Sequence, residues 1–101
     1  MVVSLYYQSK LMRIEVQKFG TLLVSRPSGR EAYLAAKSSL LRDVPADADL
    51  EIDFAGVQVL TPSWADEFLT PLRKEFPKTN LVNTDNSSVK ATLRTLEEFS
   101  V

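Results

Sequence analysis

The side chains of this sequence that could do chemistry are concentrated around Ser63, which is followed closely by Asp66 and Glu67. A serine can serve as a nucleophile and carboxylates can transfer protons, provided that a base of suitable pKa stands beside them. The 101-residue chain contains no histidine and no cysteine. It therefore lacks the commonest general base, every thiol nucleophile and the usual protein ligands of zinc.

Catalysis by Ser63 would then need a lysine as its base, which is an unusual arrangement. Asp66 and Glu67 are neighbours in sequence, so on a helix they would point in different directions and form a poor acid–base pair. We therefore expect no enzymatic activity, no cofactor and no metal ion.

The composition is that of one folded domain, with 45% hydrophobic and 25% charged residues. The 12 basic and 13 acidic side chains leave a net charge of -1, which creates no field that would attract nucleic acid or an acidic membrane surface. No apolar run is long enough to cross a membrane, and no export signal is visible, so we expect a cytoplasmic protein.

Five segments have the apolar alternation or β-branched content of strands, namely Val2–Tyr7, Leu11–Val16, Leu22–Val24, Leu50–Phe54 and Leu81–Val82. A turn at Phe19 and Gly20 predicts that the second and third of these form a hairpin. The first predicts an extra strand or a tail, so we separate residues 1–11 from an α/β domain over residues 12–101.

Polar capping residues precede the first and last predicted helices. Ser28 and Glu31 have the spacing of a capping box, which predicts a helix near Gly29–Arg42. Asp85 or Asn86 can cap a last helix, whose buried stripe would contain valine and leucine at helical spacing.

The second predicted helix starts at the segment that holds the candidate chemistry. Ser63 is its predicted N-cap, and Asp66 and Glu67 would place negative charge in its positive first turn. Pro71 predicts a kink or break near Thr70, because a proline inside a helix removes a hydrogen bond and costs about 3 kcal/mol.

The alternation of strands and helices predicts an α/β fold with a small mixed, largely parallel four- or five-stranded sheet and three helices. Functional loops of such sheets lie at the carboxyl ends of the strands. Here these loops are Ser25–Gly29, Ala55–Ser63 and Asn83–Ser87. We expect Arg26 and Asn86 to lie on the same edge of the sheet as Ser63.

The run from Asp53 to Phe68, DFAGVQVLTPSWADEF, resembles the STAS superfamily of anti-sigma factor antagonists. It looks more closely like the bacterial STAS-like family of unknown function, whose helix begins with an aromatic residue followed by Ala-Asp-Glu. Ser25–Arg26 and the Asn83–Ser88 turn match that family too. The resemblance covers about residues 12–98 and implies a STAS-like fold.

What the resemblance implies for function is a partner switch. Such domains bind an ATP-binding kinase-like regulator, and phosphorylation of the serine at the helix start breaks the complex. By position that serine is Ser63, which would make the chain a phosphoprotein. The chain departs from the antagonists at Thr61 and Pro62, where they have an acidic and a small residue, and at Trp64, where they have glycine.

We expect the partner-binding surface to be formed by Arg26, Asp53, Thr61, Ser63, Trp64, Asp66, Glu67 and Asn86. Several of these residues also have a purely structural interpretation. Ser63 can act as an N-cap alone, and the two carboxylates can pair with the helix dipole or with Arg26. Asp53 can accept backbone hydrogen bonds in the loop that follows it. Trp64, expected to be partly exposed, is either a lid on the core or an interface anchor.

The leading hypothesis is therefore a non-catalytic regulatory module that binds a protein. The alternative is a small-ligand or nucleotide-binding domain that holds an anion with Arg26, Ser63 and the helix N-terminus, although no glycine-rich phosphate loop supports it. A further alternative is self-association as a homodimer.

Overall fold

The computed structural model describes residues 11–98. The predicted strand Val2–Tyr7 lies outside them, and the division of the chain at residue 11 stays a prediction. In chain order the elements are β1 (Leu11–Glu15), a 3-10 turn (Val16–Phe19), β2 (Leu22–Leu23), α1 (Arg26–Ser38), β3 (Asp49–Asp53), β4 (Val59–Leu60), α2 (Pro62–Glu75), β5 (Thr79–Val82) and α3 (Ser87–Glu98).

The described strands form two small parallel sheets, one with the order β1-β3-β5 and one in which β2 pairs with β4. The predicted α/β class with three helices and a largely parallel arrangement is confirmed. The predicted hairpin is wrong, because β1 pairs with β3 and β2 pairs with β4. The 3-10 turn Val16–Phe19 separates β1 from β2, which lie in different sheets.

The core lies between the helices and one face of the three-stranded sheet. Ile14, Ile52 and Leu81 stand side by side in the register of the three strands, and Ile14 and Ile52 are buried. The alternation of the sequence is thus confirmed, with Leu50, Ile52 and Phe54 inside. From α2, the buried side chains are Trp64, Ala65, Phe68, Leu69 and Leu72.

Helix α1 begins earlier than the capping-box pattern predicts. Its N-cap is Ser25, whose Oγ accepts a hydrogen bond from the backbone N–H of Ser28 at 3.2 Å. Pro27 occupies the first turn, where its missing N–H costs nothing. The helix ends at Ser38 rather than Arg42, and Ser39 donates its hydroxyl to the carbonyl of Ala35 at 2.7 Å.

Helices α1 and α2 cross at a point where only a glycine fits. A Cβ placed on Gly29 would lie 2.4 Å from the carbonyl oxygen of Trp64, well inside van der Waals contact. The two backbones therefore approach closely at the starts of both helices. This crossing sets how the two helix N-termini face each other.

The start of α2 also differs from the prediction. Thr61 is the N-cap, because its Oγ1 accepts a hydrogen bond from the backbone N–H of Trp64 at 3.3 Å. Pro62 is the first helical residue, so Ser63 lies inside the first turn and its predicted role as N-cap is wrong.

Helix α2 continues through Pro71 to Glu75, so of the kink or break expected near Thr70 the break is wrong, and the kink stays a prediction. The helix has a continuous apolar face, and Phe68, Leu69 and Leu72 on either side of the proline are buried. Burial of this face holds the helix together across the lost hydrogen bond, as tertiary packing commonly overrides local propensity.

Candidate functional site

The candidate site is centred on Arg26, which connects the first turn of α1 to the second turn of α2. Because α2 begins at Pro62, its first turn holds no acidic residue, so the expected position of Asp66 and Glu67 in that turn is wrong. Its Nη1 donates a hydrogen bond to Asp66 Oδ2 at 3.0 Å and another to Glu67 Oε2 at 2.9 Å. The interpretation that both carboxylates pair with Arg26 is therefore confirmed. We call Arg26, Asp66 and Glu67 the arginine triad.

The charges of the arginine triad support one another. The pKa of Arg26 is raised by its hydrogen bonds to Glu67 and Asp66. The pKa of Asp66 is lowered by the hydroxyl of Thr70, which donates to it at 2.7 Å, and by Arg26. One guanidinium and two carboxylates leave the triad with a net charge of about -1 at neutral pH. Exposed ion pairs contribute only about 0–1 kcal/mol to the free energy of unfolding. The triad therefore fixes the positions of charged side chains at the surface more than it stabilises the fold.

Thr61 ties the end of β2 to the start of α2. Besides accepting from the N–H of Trp64, its Oγ1 donates to the carbonyl of Val24 at 2.6 Å. The backbone N–H of Thr61 also donates to the carbonyl of Leu23 at 3.0 Å. The hydroxyl of Thr61 is thus used within the fold.

Ser63 differs from Thr61 in how its hydroxyl is used among the described residues. The side chain is half-buried in the first turn of α2, and within residues 11–98 its hydroxyl makes no hydrogen bond. Asp66 follows three positions later, so Ser63 lies on the side of the helix that carries the triad. Of the two hydroxyls at this helix start, that of Ser63 is available to react or to contact a partner.

Trp64 is not the partly exposed residue that the sequence suggests. Its exposed fraction is 0%, its ring stacks on Phe68 with centroids 4.9 Å apart, and its indole N–H donates to Ser28 Oγ at 3.3 Å. The crossing at Gly29 covers it. The expectation of exposure is therefore wrong, and a fully buried Trp64 belongs to the core and not to a contact surface.

Asp53 lies at the end of β3 in a separate polar cluster. Its carboxylate accepts hydrogen bonds from Asn83 Nδ2 at 2.8 Å, from the backbone N–H of Ala55 at 2.9 Å and from Arg13 Nη1 at 3.1 Å. These bonds, led by that of Asn83, lower the pKa of Asp53. The predicted acceptance of a backbone hydrogen bond in the next loop is confirmed, and the residue is only 6% exposed.

Of these partners, Asn83 opens the predicted loop Asn83–Ser87, whereas no signal in the sequence could have found Arg13. Arg13 comes close to Asp53 through the pairing of β1 with β3, which the sequence analysis did not predict. Asn83 adopts a positive φ of 55° at the end of β5, a conformation that asparagine tolerates better than most residues.

Asn86 belongs to a third cluster, at the outer edge of β4. Its Oδ1 accepts from the N–H of Val89 at 3.0 Å, which confirms it as one of the two predicted caps of α3. Its Nδ2 donates to the carbonyl of Gln58 at 3.1 Å. Arg26 follows β2 on the other side of β4, so the structure does not bring Arg26 and Asn86 together.

Two hydroxyls of α3 continue this cluster along β4. Ser88 Oγ accepts from the N–H of Leu60 at 3.0 Å and donates to its carbonyl at 3.2 Å. Thr92 Oγ1 donates to the same carbonyl at 2.5 Å. Side chains of α3 therefore take the place of a further strand beside β4. The spacing of these hydroxyls by four residues is a sequence signal that could have indicated a polar face on α3.

Two further kinds of site concern residues 11–98, namely metal sites and membrane-spanning helices. In that part of the chain, no group of three or more histidine, cysteine, aspartate or glutamate side chains is placed to hold a metal ion. None of the helices found there is long and apolar enough to cross a membrane.

The fold and these clusters define a small α/β domain of STAS-like type. The family described as "STAS-like domain of unknown function (DUF4325)" matches residues 38–89, just over half of the chain. The chain belongs to this family. No curated protein and no solved structure matches it. Membership suggests a regulatory module, and STAS-like domains are generally non-catalytic.

Proposed function

We propose that this chain is a regulatory module that binds a protein partner through the surface around the arginine triad and Ser63. The observation that carries the proposal is the bridge from Arg26 of α1 to Asp66 and Glu67 of α2. The triad is at the surface, contributes little to stability, and lies beside Ser63, whose hydroxyl makes no hydrogen bond within residues 11–98. A polar surface of fixed geometry that contributes little to the stability of the fold is suited to the recognition of a partner.

The proposed partner is an ATP-binding kinase-like regulator, and the proposed switch is phosphorylation of Ser63. A phosphate there would add about -1.5 to -2 charges at the positive end of α2, where backbone N–H groups favour it. It would also compete with Asp66 and Glu67 for the guanidinium of Arg26. Phosphorylation would thus rearrange the triad and change the surface without unfolding the domain.

The small-anion alternative is weakened by the same geometry. The guanidinium that would have to hold the anion is already engaged by two carboxylates, and their net negative charge would repel a free phosphate. A covalently attached phosphate overcomes that repulsion because its effective concentration is high.

The proposal is tested by titrating the full chain with an ATP-binding kinase-like protein encoded by a neighbouring gene, using isothermal titration calorimetry. Arg26→Glu should weaken binding at least about tenfold, because it reverses the charge at the centre of the triad. Ser63→Asp should weaken it similarly, and Ser63→Ala should bind like the wild type. The matched control is Arg94→Glu, a charge reversal at an exposed position of α3.

Phosphorylation is tested separately by incubating the two proteins with ATP and magnesium and locating phosphoserine by mass spectrometry. We expect one modified residue, Ser63. Equal binding by the wild type, Arg26→Glu and Ser63→Asp would contradict the proposed surface. Binding without modification of Ser63 would contradict the switch alone.

A further inference from the structure

The two carboxylates of the arginine triad are not held alike. Asp66 is bonded through both of its oxygens, since Oδ2 accepts from Arg26 at 3.0 Å and Oδ1 accepts from the hydroxyl of Thr70 at 2.7 Å. Glu67 accepts from Arg26 at 2.9 Å through Oε2, and within residues 11–98 its other oxygen makes no hydrogen bond. In this part of the chain, Arg26 is therefore one of two partners for Asp66 but the single partner for the side chain of Glu67.

The backbone of α2 shows the same difference between the two residues. In the α-helical pattern, the N–H of Thr70 bonds to the carbonyl of Asp66 four residues earlier. The corresponding position for Glu67 is Pro71, which offers neither an N–H nor a hydroxyl. Asp66 is thus tied to the next turn of the helix by a backbone bond and a side-chain bond. Glu67 is the carboxylate of the triad that is less firmly held.

Ser63 lies one helical turn before both carboxylates. Asp66 follows it by three positions and Glu67 by four, so their separations from Ser63 along the helix surface are similar. The side chain of Glu67 is 24% exposed and that of Asp66 is 45% exposed. Because charges interact more strongly where less water screens them, a phosphate on Ser63 would repel the carboxylate of Glu67 more strongly than that of Asp66.

We propose that Glu67 is the movable carboxylate of the triad and that Asp66 is the fixed one. When Ser63 carries a phosphate, the phosphate oxygens replace Glu67 on the guanidinium of Arg26. Asp66 stays bonded to Arg26, because Thr70 holds it in place. Thr70 is then a positioning residue that determines which carboxylate leaves. The inference rests on the proposed function, since it takes Ser63 as the modified residue, and it adds the exchange by which the modification acts.

The guanidinium of Arg26 has the donors that this exchange requires. Within residues 11–98 its hydrogen bonds to both carboxylates are made by one nitrogen, Nη1. A guanidinium carries five N–H donors in a planar fork that fits two oxygens of a phosphate. Arg26 can therefore keep its bond to Asp66 while the N–H that Glu67 occupied, and donors of the other nitrogens, turn to the phosphate.

The exchange changes the charges that the surface presents to a partner. In the unmodified triad, one guanidinium lies between two carboxylates that it holds in place. In the modified triad, the phosphate occupies the guanidinium and the carboxylate of Glu67 is released to solvent. A partner that fits the first arrangement would then meet an unpaired negative charge, and such a mismatch across an interface weakens binding.

The exchange is tested by 13C NMR of the side-chain carboxyl groups of the full chain, with either serine or genetically encoded phosphoserine at position 63. Arg26→Ala is introduced into both forms. In the serine form it should shift the carboxyl signals of Asp66 and Glu67, because each loses a hydrogen bond. In the phosphoserine form it should shift the signal of Asp66 and leave that of Glu67 nearly unchanged. The use of one substitution in both forms cancels the direct effect of the phosphate charge on the signals.

The positioning role of Thr70 is tested by two substitutions at this exposed residue. Thr70→Val keeps the size of the side chain and removes the hydroxyl that bonds to Asp66. In the phosphoserine form of this variant, the signal of Asp66 should lose its response to Arg26→Ala. Thr70→Ser retains a hydroxyl and should restore that response. Circular dichroism checks that each variant is folded, and a crystal structure of the phosphoserine form measures the same contacts directly.

The outcomes that would overturn the inference all concern the phosphoserine form. They are a response of Glu67 as large as in the serine form, the absence of a response of Asp66, and a response of Asp66 that Thr70→Val leaves intact. None of them depends on a kinase or on a partner, because the phosphoserine is incorporated during synthesis of the chain. Failure of the proposed function is instead read from calorimetry and mass spectrometry, as missing binding or missing modification.

Discussion

Thr61 and Ser63 are two hydroxyl residues separated by one proline, and the fold uses them differently. The hydroxyl of Thr61 accepts a hydrogen bond from the N–H of Trp64 and donates one to the carbonyl of Val24, so it joins the start of α2 to the end of β2. Ser63 makes no hydrogen bond through its side chain within residues 11–98. Conservative substitutions at the two positions should therefore have separate effects.

We predict that Thr61→Ala lowers the free energy of unfolding by about 1–2 kcal/mol, because it removes an N-cap and the bond to β2. Ser63→Ala should change it by less than about 0.5 kcal/mol. Urea unfolding followed by the fluorescence of Trp64, the one tryptophan of the chain, measures both. If Ser63→Ala were the more destabilising variant, Ser63 would be the cap after all.

At the scale of elements, the crossing of α1 and α2 depends on Gly29. Replacing a helical glycine by alanine usually stabilises a helix by about 0.5–1 kcal/mol. At Gly29 the added methyl group would lie 2.4 Å from the carbonyl oxygen of Trp64, which belongs to the backbone and cannot simply rotate away.

We predict that Gly29→Ala destabilises the domain by about 1–3 kcal/mol, the range typical of overpacking. Glu31→Ala, at an exposed position on the same helix, is the control and should be nearly neutral. Thermal unfolding by calorimetry gives the comparison. A stabilised Gly29→Ala variant would show that the helices can move apart without loss.

Helix α3 offers a second prediction at this scale. Thr92 is 3% exposed, and its hydroxyl donates to the carbonyl of Leu60 at 2.5 Å. Thr92→Val keeps the shape of the side chain and removes this donor, so we predict a loss of about 1 kcal/mol. Thr95→Val is the control, because the hydroxyl of Thr95 bonds only within its own helix at Ala91. Chemical denaturation of both variants decides whether the hydrogen bonds from side chains of α3 to the backbone of β4 stabilise the fold.

The elements show where prediction from the sequence succeeds. Strands, helices and buried faces are identified correctly by the alternation around Ile14 and Ile52 and by the apolar spacing in α2. These patterns succeed because the apolar positions that recur with the period of the element are the buried ones. The pairing of β1 with β3 could not be predicted, because a short turn with a glycine is compatible with a hairpin or with a chain that continues.

The candidate site was predictable only in part. The bridge from Arg26 to Asp66 and Glu67 was among the sequence-based alternatives, because complementary charges at two helix starts can meet. The cap at Thr61 and the burial of Trp64 depend on a crossing that only the three-dimensional packing reveals. A capping pattern in the sequence is compatible with several neighbouring residues as the N-cap, and the packing of the next helix determines which of them it is.

At the scale of the whole molecule, three carboxylates connect separate elements and have lowered pKa values. Asp53 accepts a hydrogen bond from Asn83 in the loop after β5, and Asp66 accepts one from Arg26 of α1. Glu75 of α2 forms an ion pair with Lys37 and accepts a hydrogen bond from Tyr33 at 3.2 Å. For Glu75 the bond from Lys37 is the main cause of the lowered pKa. Each carboxylate binds its proton less readily in the folded state than in the unfolded state.

The sign of the pH dependence follows from these shifts. Above the ordinary pKa values of 3.8 for aspartate and 4.5 for glutamate, the stabilising contribution is fully present. As the pH falls through these values toward the lower folded pKa values, the unfolded state takes up protons first and the contribution is lost. We predict that the urea midpoint is constant from about pH 7 to 6 and falls steeply below about pH 4.5.

Asp53→Asn should lower stability at pH 7 and make the fall toward pH 3 shallower. Its control is Asp49→Asn, an exposed aspartate of the same strand that makes no hydrogen bond through its side chain in residues 11–98. A wild-type midpoint that rises on acidification would contradict the assignment. So would an Asp53→Asn profile parallel to that of the wild type.

The hydrogen bonds that side chains of α3 make to the backbone of β4 have a consequence during synthesis of the chain. β4 emerges from the ribosome before Ser88 and Thr92 do, and translation proceeds at roughly 5–20 residues per second. For that interval the nascent chain presents backbone groups of Leu60 with no partner from α3. A stalled or prematurely terminated chain would keep these backbone groups unpaired by α3, so such products should be the ones that chaperones of nascent chains retain.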